Sequence, residues 1–209
     1  MGNRKWYATT RQKAFLTVEQ QRVNAEGIYD YLHNQAGLTT AATCAILGNM
    51  AKESSLNPGS NTTSNSGGTA GLIQWHPATV LTNWVKVTYK SSVWWYPPYQ
   101  LKRIIYELDG VIPETWDEAE GYPYSGADFK KMTDLALATR VYYENRERSG
   151  GWKEIRYTYA KQWYEYFGGN PDTDTSGEDT TPDETDDPTD SVATTRRGMP
   201  IWLYTRRRY

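Results

Sequence analysis

The chain has 209 residues, with 23 Lys plus Arg against 25 Asp plus Glu, two His and a single cysteine. This length supports one medium domain with extensions, and the lone Cys44 excludes an intramolecular disulfide framework. Neither a signal peptide nor a run of about 18 apolar residues is present, which argues against an obvious N-terminal export route. The charge is unevenly spread. Residues 170–195 carry nine acids and no Lys or Arg, residues 196–209 carry five arginines and no acid, and the remaining 1–169 is mildly basic. His33 and His76 have no partners at metal-ligand spacing, so no metal site and no cofactor is expected.

In chain order, residues 1–15 are polar with a basic start and read as an N-terminal arm. Thr17-Val18-Glu19-Gln20 has the spacing of a capping box, and Ala25, Ile28, Leu32 and Ala36 follow at helical intervals until Gly37. Thr39 or Thr40 opens a second helix running through Ile46 and Met50 to Glu53. A Gly/Ser/Thr/Asn-rich stretch over 58–73 suits a loop or short hairpin. Pro77 starts a third helix with Val80, Leu81, Trp84 and Val85 on one side, and Leu101, Ile104, Ile105 and Leu108 mark a fourth, closed by Gly110. Ser125 with Asp128 begins a longer helix expected to continue through Leu135 to Tyr143, and Ile155, Tyr159, Trp163 and Tyr166 form a last one. The fold class is therefore mainly α over 16–169. Residues 170–195, rich in Asp, Glu, Thr and Pro, lack the apolar surface to repay ordering and read as a linker. Residues 196–209 place Ile201-Trp202-Leu203-Tyr204 between arginine clusters, as a docking segment would.

Glu53 is the residue on which chemistry concentrates. It lies seven residues after Ile46, four after Asn49 and three after Met50, so all four share one helical face. A carboxyl leaning on Ile46 and Met50 is expected to keep its proton, as a general acid for glycosidic oxygen must. No Asp or Glu occurs between Ser54 and Tyr106. Any sugar-cleaving site therefore has one local carboxylate. Distant acids such as Glu107, Asp109 and Glu144 read as surface or ion-paired groups.

Three linked motifs add to this. Leu16-Thr17-Val18-Glu19-Gln20-Gln21-Arg22-Val23-Asn24-Ala25 precedes Ile46-Leu47-Gly48-Asn49-Met50-Ala51-Lys52-Glu53-Ser54, and Gly71-Leu72-Ile73-Gln74-Trp75-His76-Pro77-Ala78-Thr79 follows. Together with Tyr143-Glu144-Asn145-Arg146-Glu147-Arg148 and the Tyr159–Phe167 segment, they resemble the phage tail lysozymes over about residues 16–168. The same motifs are similar to the goose-type lysozyme and lytic transglycosylase branch of the lysozyme-like superfamily. The resemblance implies a lysozyme-like helical domain with a short β-hairpin or loop after the Glu53 helix and an extended C-terminal tail. It implies a virion-associated glycoside hydrolase, a muramidase that cleaves between N-acetylmuramic acid and N-acetylglucosamine with Glu53 as general acid.

Two alternatives stay open: a lytic transglycosylase giving anhydro-muropeptides, and a structural tail-tip protein that keeps the fold without turnover. Ser54, Thr69, Gln74, Trp75 and Tyr143 are the expected substrate-binding residues, Gln74 through its amide and Trp75 either by stacking on a sugar face or, equally, as a packed core residue. Hydroxyls of Thr62, Thr63, Ser64 and Thr69 are candidates to hold a water. Expected partners are peptidoglycan glycan strands and, through residues 196–209, tail-tip or tail-tube proteins. Membrane contact is an alternative use of that tail, and nucleic acid is not expected.

Overall fold

The computed structural model describes residues 4–10, 15–65, 67–148 and 151–170; the expected linker and docking segment at 171–209 lie outside the described residues. Helix α1, Val18–Tyr29, starts as expected, since Thr17 Oγ1 accepts from Gln20 N and Gln20 Oε1 accepts from Thr17 N. It widens into a π-turn over Asp30–Gln35 before Gly37 adopts a positive φ of 77°. Helix α2, Thr40–Ser54, is capped by Thr39, whose Oγ1 accepts from Ala42 N at 3.1 Å. Twelve of its 15 residues are buried, which makes it the central helix, with α1 and the later α6 and α7 packed around it. Two consecutive left-handed residues, Ser55 and Leu56, then end it.

A two-stranded antiparallel hairpin follows, β1 Asn61–Thr62 with β2 Thr69–Ala70, in the register Asn61 to Ala70 and Thr62 to Thr69. Helix α3, Thr79–Tyr89, begins two residues after Pro77. Helix α4, Pro97–Leu108, carries proline at its first position, where the missing N–H costs nothing. The long helix expected from Ser125 to Tyr143 is instead two helices, α5 Gly126–Lys131 and α6 Leu135–Tyr142. The break has a tertiary cause. Thr39 N donates to Lys130 O at 3.0 Å and the Thr39 hydroxyl donates to Met132 O, taking the carbonyls a continuous helix would use. Asp134 then recaps the chain by accepting from Leu137 N at 2.9 Å. A second π-turn, Tyr143–Glu147, extends α6, and α7 spans Ile155–Tyr166.

The N-terminal arm is clipped to the domain by two buried asparagines. Asn24 accepts from Tyr7 N at 2.9 Å and donates to Tyr7 O at 2.7 Å. Asn57 does the same for Thr9, at 3.0 and 2.9 Å. Each amide thus mimics a neighbouring strand for alternate residues of an extended segment.

On the far side of the core, Glu107 is only 2% exposed and fully engaged. Its Oε1 accepts from Trp75 Nε1 and Arg103 Nε, both at 2.8 Å, and its Oε2 from Arg146 Nε at 2.6 Å. One carboxylate therefore compensates two buried guanidinium groups and ties α4 to the second π-turn and the post-hairpin segment. We predict that Glu107→Ala, which strands both arginines, lowers unfolding free energy by about 3–5 kcal/mol in denaturant titration; a loss under about 1 kcal/mol, the range of an exposed pair, would contradict this role.

Candidate functional site

Glu53 lies in the last turn of α2 with its side chain 18% exposed. The apolar lean expected for it is corrected. Ile46 and Met50 are fully buried behind it, but the group that meets its Oε1 is the guanidinium of Arg156, donating through Nη2. Arg156, at the start of α7, has only 3% of its side chain exposed. Its Nη1 donates to Asn49 Oδ1 at 3.1 Å, and its guanidinium carbon stands 4.8 Å from the centre of the Tyr143 ring. Asn49 is itself oriented, since its Nδ2 donates to Ala45 O at 2.9 Å and to Thr139 O at 3.3 Å.

Gly48 makes this arrangement possible. A methyl group there would lie 2.5 Å from Arg156 O and 2.7 Å from Ala160 N, so only glycine lets α7 approach closely enough to deliver Arg156.

A second carboxyl joins the cluster. Glu147, the last residue of the second π-turn, has its Oε1 buried without a hydrogen-bond partner among the described residues. Its pKa is pushed up to about 8, chiefly by burial; the negative charges of Glu53 and Glu107 add to the rise, against the lowering pull of Arg146 and Arg156. The site thus pairs an arginine-bound carboxyl, Glu53, with one that stays neutral at neutral pH, Glu147. Groups so differentiated are suited to divide the holding and giving of a proton. Sequence reading singled out the Tyr143–Arg148 segment but not this residue; the available signal was a Glu one residue beyond Arg146 in a run of alternating charge.

The expected substrate-binding residues are mostly internal. Ser54 is buried, and its hydroxyl donates to Leu72 O at 2.8 Å, tying the end of α2 to the segment after the hairpin. Gln74 does not present a free amide: its Oε1 accepts from Thr69 Oγ1 at 2.6 Å, and its Nε2 donates to Gly71 O at 2.7 Å and Ser60 O at 3.3 Å. Thr69 also meets Thr62 Oγ1 at 2.8 Å, so these residues brace the hairpin. Trp75 is 2% exposed, with its indole nitrogen on Glu107, and its ring is a core element rather than a stacking surface.

Tyr143 is buried between Arg156 and Trp152, whose ring meets it edge-on at 5.5 Å, and burial raises its phenol pKa. Trp152, half-buried and covered by Arg140 at 4.7 Å, is the aromatic side chain that reaches the surface beside this cluster. Among the distant acids, Glu107 is in the buried hub, Asp109 pairs with Lys130, and Glu144 pairs with Arg140 at 2.6 Å. None of these three is drawn to Glu53. Among the described residues, no three His, Cys, Asp or Glu side chains gather as a metal site would require.

Comparison with known proteins agrees with this architecture. The family model described as phage tail lysozyme matches residues 23–167, and the chain belongs to that family. It is also similar to a protein of Bacillus phage B103 named morphogenesis protein 1, at 33% identity over 174 residues, which is 78% of this chain and 44% of the relative. The chain therefore spans less than half the length of that curated relative.

The Glu147 environment generates a pH test. Its folded pKa of about 8 stands above the usual 4.5, so the folded chain keeps a proton that the unfolded chain releases in between. The stability contributed by this neutral carboxyl is full below about pH 4.5 and is lost as pH rises through 8. Glu147→Gln removes that dependence. Thermal melts should show the variant above the wild type at pH 9 by at least about 2–4 °C, the equivalent of 1 kcal/mol in a domain of this size, and level with it at pH 5. Equal melting temperatures at both pH values would refute the assignment.

Proposed function

We propose that this chain is a virion-borne muramidase that cleaves peptidoglycan between N-acetylmuramic acid and N-acetylglucosamine, with Glu53 as general acid. The observation that carries the reading is the placement of Glu53: partly exposed at the end of a buried helix, paired with Arg156 and in the electrostatic field of Glu147, whose Oε1 has no hydrogen-bond partner among the described residues. Membership of the phage tail lysozyme family supports the glycan substrate.

In this mechanism Glu53 is the proton donor, and the neutral carboxyl of Glu147 lies within its electrostatic field. Glu53 gives its proton to the bridging oxygen as the C1–O bond breaks, and the water that adds at C1 returns a proton to Glu53. Arg156, anchored by Asn49 and Tyr143, holds Glu53 in position and limits its departure from the cleft edge. The loop from Asn57 to Gln74 contains no acid, and Glu147, neutral at neutral pH, does not replace one; hydrolysis is favoured here by the family affiliation. Action at the tail tip during host entry, with residues 196–209 docking to a tail protein, is the corresponding location and partnership. The family and the phage relative support a virion location.

Glu53→Gln keeps the shape of the side chain and removes its acid. It should reduce clearing of purified cell walls by roughly 10²–10⁴-fold, and unchanged clearing would sink the catalytic assignment. Mass spectrometry of the released fragments should show reducing ends; anhydro ends would replace hydrolysis by transglycosylation.

A further inference from the structure

A cavity bounded by described residues lies away from Glu53. It has a volume of about 530 Å³ and lies between the hairpin and the turn that precedes α4. One wall is hydroxyl and amide, from Asn61, Thr62 and Ser64, with Thr82 of α3 nearby; the other is Trp94 and Trp95. Neither Glu53, Glu147, Arg156 nor Tyr143 lines it, and none of its described lining residues is charged.

The two walls are set before any ligand arrives. Gln100, fully buried, accepts from Leu72 N at 2.8 Å and donates to Pro58 O at 2.8 Å and Trp94 O at 2.9 Å. A single amide thus locks the chain on both sides of the hairpin to the tryptophan turn. Trp94 and Trp95 stand edge to face, with ring centres 5.7 Å apart. Both are only half-buried. The aromatic surface continues outward, through Tyr96 edge-on to Tyr99 and Tyr99 stacked on Tyr89 at 3.9 Å. Tyr96 is 42% exposed, so the shelf is open to solvent.

We propose that this cavity is a second glycan-binding site, separate from Glu53, that takes neutral N-acetylated sugar units. The C–H faces of a pyranose match the indole faces, and its hydroxyl and acetamido N–H groups can donate to oxygens of the Thr, Ser and Asn wall, where Asn61 Nδ2 already donates to Thr10 O and Gly59 O and Ser64 Oγ accepts from Gly68 N. The volume falls within the about 300–1,000 Å³ of small-ligand sites. The described lining residues carry no charge, which suits a neutral sugar. A strand held here would raise the local concentration of the same polymer at Glu53, as linked sites do. The inference takes its ligand class from the glycan reading above but does not need Glu53 to turn over.

The test uses the full chain carrying Glu53→Gln, so that sugar is bound and not consumed. Titration calorimetry with the β-1,4-linked tetramer of N-acetylglucosamine should show binding. Adding Trp95→Ala should weaken it by at least about tenfold, and Trp95→Phe, which retains an aromatic face, should stay within about threefold. Poly(glycerol phosphate) should not bind. Unchanged tetramer affinity in a Trp95→Ala chain that still melts cooperatively, or phosphate-polymer binding lost with Trp95, would overturn the proposal. Wall clearing by the unmodified chain is measured in parallel. Trp95-dependent binding without clearing would remove the muramidase reading and leave this site standing, whereas clearing without Trp95-dependent binding would do the reverse.

Discussion

Helices α2 and α7 meet at Gly48 with no space for a methyl group, and the disposition of the candidate site follows from that contact. A helix one side chain farther away could not bring the Arg156 guanidinium to Glu53, because Arg156 stands where its own backbone carbonyl faces Gly48. The approach also brings Arg156 to Asn49 and over Tyr143, so three elements agree on the position of one cation. Burying an arginine is unfavourable unless its charge and donors are matched. Here a carboxylate, an amide and an aromatic face match the charge and the Nη donors, Nε having no hydrogen-bond partner among the described residues, and the end of α2 becomes a charged surface instead of the apolar shelf its helical face suggests.

The second π-turn couples this site to the far side of the domain. Arg146 turns inward to Glu107, which also holds Arg103 and Trp75. Glu147, the next residue, ends in the field of Glu53 and Arg156 with an oxygen left unpartnered among the described residues. Adjacent residues of opposite charge thus serve opposite purposes. One satisfies a buried carboxylate and contributes to stability; the other remains under-satisfied, which costs stability and is the usual mark of a site kept for chemistry.

The hairpin shows how residues expected to touch substrate came to be structural. Thr69, Gln74 and Ser60 close a small network that a two-residue strand pair needs, since so short a ladder has few backbone bonds of its own. Gln100 performs the same service one layer deeper, and by doing so it shapes the cavity walls. Trp75 carries a polar edge that Glu107 accepts, so its burial is favourable on both its faces and its nitrogen.

Local features were legible in the sequence because their causes are local. The capping boxes at Thr17 and Ser125, the stop at Gly37 and the helical spacing of Ile46, Met50 and Glu53 each depend on residues within one turn, and the structure follows them. Motif order further identified the family. The break between α5 and α6 was not legible, because Thr39, more than ninety residues away, captures Met132 O. Nor were the arginine on Glu53 or the approach of Glu147, since each depends on which distant element lands on a given face. Periodicity states which residues of one element share a side. Only tertiary packing decides what that side meets, because the charges and hydrogen-bond partners that set a side chain's chemistry come from other parts of the chain.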